Sequence, residues 1–167
     1  MSRRNLLLLC CAWIAALPVP TTSAASPFLL PIVVHMATEG GRDVAAREFV
    51  DTQLRRANEI FAPYGVVFEL RALVRSGPQP RMETRADRSA LAQHAEPGVI
   101  NCFVVAALRD VDEPDRMRRG VHWHSETQPG VHFVILSAIS EPDVLAHELG
   151  HYLGNPRHSD TPGNLMS

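Results

Sequence analysis

The sequence has 167 residues, of which 46% are hydrophobic and 20% are charged. This length and composition are typical of one globular domain, and the chain is too apolar to be disordered throughout. The formal net charge is −2, which excludes a strongly basic protein. We therefore do not expect nucleic acid as a partner.

The amino-terminal region has the features of a cleavable signal peptide. Two arginines precede an apolar run from Leu6 to Leu17, and small residues at Ala24 and Ala25 offer a cleavage site. The run is too short to cross ~30 Å of hydrocarbon comfortably, and no other segment could span a membrane. We predict a signal peptide over 1–25 and a mature, monomeric domain over 26–167, secreted or periplasmic.

Cysteine usage agrees with this simple organisation. Cleavage would remove Cys10 and Cys11, so the mature chain would keep only Cys102 and could form no intramolecular disulfide. Cys102 lies in an apolar run over 99–105, which favours a buried small hydrophobic side chain over a nucleophile or a metal ligand.

The first half of the mature chain predicts a strand, a long helix and a second strand. A β-branched run indicates a buried strand over 29–36. Apolar residues at three- and four-residue steps predict a helix over 43–61, with Asp43 as its cap. Alternating polarity predicts a strand over 66–74. The polar residues of 75–98 indicate a surface excursion with one short helix.

The second half predicts more strands and a last helix. That helix spans 141–153, with Ser140 as N-cap and Asp143 at its third position in an acidic variant of the capping box. The predicted fold class is α/β, a twisted mixed sheet of about five strands with two main helices. The strands predicted in this half are 99–107, 121–125 and 131–137.

The last helix carries the residues with the clearest chemistry. His147 and His151 lie one turn apart on one helix face, about 6 Å from each other, so both imidazoles can bind one ion. Glu148 is displaced around the helix and reaches an attacking water, for which it can act as general base. The pattern predicts a zinc site with a catalytic carboxylate. The alternative is an ordinary amphipathic helix with two surface histidines.

A glycine follows the second histidine at the position where the helix must end. Gly154 tolerates a positive φ, which would turn the chain back toward the metal, and His158 follows as the candidate third ligand. Here the sequence resembles the metzincin clan of zinc metallopeptidases, whose motif is H-E-x-x-H-x-x-G-x-x-H followed by a Met-turn. The matching positions are His147, Glu148, His151 and Gly154, and the segment around Met166 resembles the Met-turn.

The sequence departs from that motif in two ways. The position of the third histidine is occupied by Arg157, which cannot bind a cation. Three alternatives stay open: His158 with one inserted residue, Asp160, or no third protein ligand. The clan also usually continues past the Met-turn, whereas one residue follows Met166 here, so the resemblance implies a shallow and poorly selective primed side of the cleft.

The resemblance implies a fold and an activity. The fold would be the zincin-type amino-terminal subdomain, and the activity would be hydrolysis of peptide bonds in a protein or peptide substrate. Zn²⁺ would be the cofactor, and strand 121–125 would pair with an extended substrate. The alternative is a non-catalytic, zinc-stabilised secreted binding domain with an incomplete cleft.

Other histidines allow a second interpretation of the strand region. His122 and His124 share one face of the strand 121–125, and His132 is near in sequence. They could hold a second ion, although solvent-facing side chains that touch substrate are favoured. The isolated His35 and His94 are predicted to be structural.

Overall fold

The computed structural model describes residues 26–75 and 79–166. The predicted signal peptide over 1–25, with Cys10 and Cys11, lies outside these residues. The described strands are β1 (Phe28–Met36), β2 (Thr38–Glu39), β3 (Arg42–Asp43), β4 (Val66–Val74), β5 (Arg81–Met82), β6 (Ile100–Val105), β7 (Ala107–Leu108), β8 (Gly120–His124) and β9 (His132–Ser137), and the described α-helices are α1 (Arg47–Phe61), α2 (Arg85–Ala90) and α3 (Val144–Tyr152).

A mixed five-stranded sheet forms the centre of the fold. Its order is β4-β1-β6-β9-β8. Four strands are parallel, and β8 runs antiparallel to β9 at one edge. Every residue of the central strand β6 is buried, as expected for a strand that is covered on both faces. The predicted α/β class and the five-stranded mixed sheet are confirmed.

The helices α1 and α3 cover one face of this sheet, and the segment that contains the short helix α2 covers the other. On the first face, side chains from β1, β6 and β9 pack against α1 and α3, which lie side by side. Cys102 belongs to this core, and burial raises the pKa of its thiol to about 12, so it is the inert hydrophobic side chain that we predicted. None of the described helices has the length and hydropathy of a transmembrane span.

The second core corrects the prediction of a surface excursion over 75–98. Met82, Leu91 and Ala92 from this segment are buried beneath the sheet together with Phe103 and Phe133. The polarity of the segment concealed these few apolar side chains, because Met82 is far from the adjacent pair Leu91 and Ala92 and the three show no periodicity. The predicted short helix is present as α2 and a 3₁₀ turn over Leu91–His94.

The start of α1 differs from the prediction. The helix begins at Arg47, and its N-cap is Ala46, whose side chain makes no capping hydrogen bond. Asp43 instead belongs to β3 and forms an ion pair with Arg75. A short hairpin formed by β2 and β3 precedes the helix. Gly40 and Gly41 both adopt positive φ at its turn, which makes this hairpin possible.

The start of α3 also differs from the prediction. Ser140 is not a cap: its hydroxyl donates a hydrogen bond to the carbonyl of Ser137, at the end of β9. Asp143 is the N-cap but makes no side-chain capping bond. Buried Gln53 of α1 stabilises this end of α3 instead, since its Oε1 accepts from the N–H of Leu145 at 3.0 Å. A long-range contact therefore takes the place of the predicted local cap.

Candidate metal centre

Helix α3 presents two of its histidines away from the core. Leu145, Ala146 and Leu149 are almost fully buried and anchor the helix to the sheet and to α1. His147 and His151 therefore lie on the part-exposed side of the helix. The spacing of the apolar residues fixes this orientation, because residues three and four apart share a helix face.

Three imidazoles converge beside this helix. The Nε2 atom of His151 lies 3.1 Å from Nε2 of His147 and 3.3 Å from Nε2 of His158. Ligands of a tetrahedral zinc ion at the usual Zn–N distance would be about 3.4 Å apart. The three nitrogens thus have nearly the spacing of zinc ligands. Asp160 is not part of the converging group among the described residues.

The other ring nitrogens show which atoms carry lone pairs. Nδ1 of His147 lies 2.7 Å from the carbonyl oxygen of Leu165, and Nδ1 of His151 lies 2.7 Å from that of Asn155. A carbonyl only accepts, so each Nδ1 must donate. In the neutral rings both Nε2 atoms then carry lone pairs that face each other, which is unfavourable without a cation between them. The donor set therefore fits a metal ion, with carbonyls orienting the ligands.

The chain after α3 returns beneath the helix. Gly154 has a φ of 103°, a conformation that favours glycine, and the N–H of Asn155 donates to the carbonyl of Gly150. Further on, the sulfur of buried Met166 would lie only 2.8 Å from a Cβ at Gly150. The return segment thus packs against α3 at a glycine and carries the carbonyl of Leu165 to His147.

The side chain of Glu148 projects from α3 toward the edge strand β8. It is buried, with 7% of its surface exposed, although it carries a carboxylate. Burial raises the pKa of Glu148, whereas His147, His151 and a hydrogen bond from the backbone N–H of His122 oppose that rise. The strand backbone therefore orients a buried carboxylate next to the converging imidazoles.

Sequence reasoning missed the role of Gly120 at the start of β8. A Cβ there would lie 2.6 Å from Cγ1 of Val144 and 2.9 Å from Cγ of Glu148. A larger residue there would have to displace the side chains of Val144 and Glu148. The signal in the sequence was a glycine directly before a strand with β-forming residues, which often marks a close approach of two backbones.

The candidate site opens into solvent-accessible cavities on both sides of Glu148. One cavity of about 750 Å³ is lined by Gly120, Val144, His147 and Leu165 among others. A second, of about 600 Å³, reaches from His147 and His151 to the histidines of β8. A ligand can therefore approach the imidazoles and the carboxylate together.

The histidines of the edge strand form a second group. His122, His124 and His132 have ligand atoms within 4.8 Å of one another. The prediction that these side chains face solvent is right for His124, which is exposed, but His122 and His132 are half-buried. Burial, with the nearby His124 and His132, lowers the pKa of His122 to about 4.

His35 has structural contacts, as predicted, and so does Tyr152. The ring of Tyr152 packs at the margin of the core and stacks on His132 at 4.2 Å between centroids. His35 is buried, stacks on Phe103, and its Nε2 donates to Oδ1 of Asn101 at 3.0 Å.

Comparisons with known proteins rest on structure. No protein-family model and no curated protein matches the sequence. A structure of mirolysin in complex with compound 9 aligns with a TM-score of 0.58 and 15% identity over 78% of this chain and 64% of that one. Metalloproteinase-II from Bacteroides fragilis aligns with a TM-score of 0.57 and 15% identity over 87% of this chain and 48% of that one. The chain thus spans less than two thirds of either protein, and its fold is that of metalloproteases.

Proposed function

We propose that this protein is a zinc-dependent metalloendopeptidase of the metzincin type. One observation carries the proposal: three imidazole nitrogens converge at zinc-ligand spacing directly beside a buried, strand-oriented carboxylate. The metalloprotease fold supports it. The return of the chain beneath α3, with Met166 against Gly150, is consistent with a Met-turn.

The metal would be held by His147, His151 and His158. When bound, zinc would act as a Lewis acid that polarises the scissile carbonyl and makes an attacking water more acidic. Imidazole ligands suit zinc, and three protein ligands are typical of catalytic zinc sites, which keep one position open.

Glu148 would carry the proton. Its carboxylate accepts a proton from the attacking water and later donates it to the leaving amine. Burial favours this role, because it raises the proton affinity of the carboxylate above that of an exposed glutamate. The hydrogen bond from the N–H of His122 holds the group in place during both transfers.

The edge strand β8 would bind the substrate. Within the described part of the chain it has a sheet neighbour, β9, on one side only, so its other edge can pair with an extended peptide. Because β8 also contacts Glu148 at Gly120 and His122, a peptide aligned on this strand would place its backbone near the carboxylate. The substrate would be an unfolded or flexible segment of protein.

Export is the proposed cellular setting. The basic and apolar features of residues 1–25 support a cleaved signal peptide and a secreted or periplasmic monomer. Mass spectrometry of the protein recovered from the periplasm or medium would test cleavage near Ala25, and an uncleaved amino terminus would contradict it.

Metal removal tests the activity. The purified protein should contain zinc and cleave an unfolded protein such as casein. Dialysis against a chelator should abolish cleavage, and adding back Zn²⁺ should restore it, because no protein group replaces the Lewis acid. Zinc content and casein fragments provide the measurement. Bound zinc without turnover would favour a binding domain instead, and a protein that takes up no zinc would refute the site.

Gly120 provides a second test, of the position of Glu148. Gly120→Ala should cost about 1–3 kcal/mol of unfolding free energy through overpacking. It should also lower casein cleavage by up to ~10²-fold, because the new methyl group displaces the carboxylate. Urea unfolding and cleavage rates measure the two effects.

A double variant separates these effects. Gly120→Ala with Val144→Ala removes the contact with Cγ1 of Val144 but keeps the contact with Glu148. We expect this double variant to have a higher free energy of unfolding than Val144→Ala alone. Its rate of casein cleavage should stay low. Full activity in Gly120→Ala would show that the close approach does not position the carboxylate.

A further inference from the structure

A second group of three histidines lies at the edge of the sheet, next to the carboxyl end of α3. The antiparallel register of β8 and β9 places His124 directly opposite His132. His122 is two residues before His124 in β8, so its side chain lies on the same face of the sheet. The backbone ladder therefore fixes all three side chains on one face, as cross-strand neighbours.

The three rings are in mutual contact. Nε2 of His122 lies 2.8 Å from Nδ1 of His132. The centroids of His122 and His124 are 4.7 Å apart, and those of His124 and His132 are 5.2 Å apart with nearly parallel planes. Tyr152 stacks on His132 from the side of α3 and supports that ring. Imidazoles gathered in this way share a space that one cation could occupy.

We propose that His122, His124 and His132 form a second binding site for a divalent transition-metal ion, with zinc as the expected occupant. The group contains three imidazoles and, among the described residues, no carboxylate. Imidazole nitrogen suits zinc and its neighbours in the first transition series, whereas Ca²⁺ and Mg²⁺ require oxygen ligands. This proposal does not depend on whether the protein hydrolyses peptides.

Binding needs only a small rearrangement of side chains. The ligand atoms lie within 4.8 Å of one another, whereas ligands of a tetrahedral zinc ion are about 3.4 Å apart. The exposed side chain of His124 is free to rotate toward its neighbours. The pair His122 and His132 must open slightly from its 2.8 Å contact. Three protein ligands leave a fourth position for water or for a ligand in the cleft.

The second site would lie in the same cleft as the histidines of α3. The same cavity of about 600 Å³ is lined by the histidines of β8 and by His147 and His151. An ion bound by residues from β8 and β9 would tie these strands together at the sheet edge. Zinc should therefore stabilise the edge strand and raise the melting temperature of the protein in a second step, at higher zinc concentration than the first.

Zinc counting tests this proposal. The protein, equilibrated with micromolar Zn²⁺, should hold about two zinc ions per chain, and His124→Ala should hold about one, because two remaining imidazoles bind weakly. His124→Gln, which preserves more of the side-chain volume, should lose the same ion. His94→Ala is the matched control, since His94 lies outside both groups, and it should keep both ions. Circular dichroism verifies that each variant is folded.

The outcomes are distinct from those for the proposed function. His151→Ala should lose one ion while the second zinc-dependent rise in melting temperature remains. One zinc per chain in the unaltered protein, or two in folded His124→Ala, would overturn the second site. Two zinc ions without any peptidase activity would refute the proposed function and leave this site standing.

Discussion

Glu148→Gln is expected to lower casein cleavage by ~10²–10⁴-fold, the range for loss of a general base, with zinc content unchanged. An amide cannot accept the proton of the attacking water, so the first chemical step loses its base. Glu148 is not one of the three converging histidines that would hold the metal, so zinc should stay bound. Initial cleavage rates and zinc per chain, measured on the same preparations, provide the test.

The substitution is mild in structural terms. Glutamine keeps the size of glutamate, and its amide oxygen can still accept the hydrogen bond from the N–H of His122. Removing the buried negative charge also leaves no unpaired ion behind. We therefore expect the variant to fold with little change in stability, so the loss of activity would report on proton transfer.

Glu141→Gln is the matched control. Glu141 is exposed, lies just before α3, and pairs with Arg119 on the surface. Surface ion pairs contribute little, so this variant should retain both activity and stability. Cleavage by Glu148→Gln at the rate of the Glu141→Gln control would contradict the role of Glu148 as general base.

The strands of the sheet were predictable because burial leaves a pattern in the sequence. The predictions over 29–36 and 66–74 agree with β1 and β4 to within one residue, and the central strand appeared as an apolar run with Asn101 as its one polar residue. Two-sided burial requires such runs in parallel strands. The shared helix face of His147 and His151 was equally predictable, because residues four apart lie one helical turn from each other.

The starts of α1 and α3 were not predictable, because contacts with other elements replaced the predicted local caps. Asp43 and Ser140 are good capping residues by type, but a hairpin engages one and the end of β9 engages the other. Gln53 stabilises the start of α3 from 92 residues away in sequence. No local pattern encodes a partner at that separation.

The close approach at Gly120 and the histidine group of β8 depend on pairing between elements. Spacing showed that His122 and His124 share a face, but only the register places His132 opposite His124. A register shifted by one residue would put these side chains on opposite faces. The composition of this group was therefore predictable from sequence, and its geometry was not.

The candidate third ligand depends on the loop after α3, which has one residue more than the metzincin motif that the sequence resembles. Asn155 controls this loop twice. Its carbonyl accepts from His151, and its side-chain Oδ1 accepts from the N–H of Arg157. The turn at Asn155 therefore accommodates the extra residue before the chain reaches the converging histidines. His158, and not Arg157, then lies with its Nε2 3.3 Å from that of His151.

His158→Ala is therefore expected to raise the free zinc concentration needed for half-maximal cleavage by at least ~10²-fold. Loss of a partner outside the ligand set already costs 10–100-fold in metal affinity, and loss of a ligand should cost more. Asp160→Ala is the matched control, because Asp160 is on the same loop but outside the converging group among the described residues. Zinc-buffered cleavage assays of both variants give the comparison. A large shift in Asp160→Ala would transfer the role to that carboxylate, and no shift in either variant would leave a centre built on His147 and His151 alone.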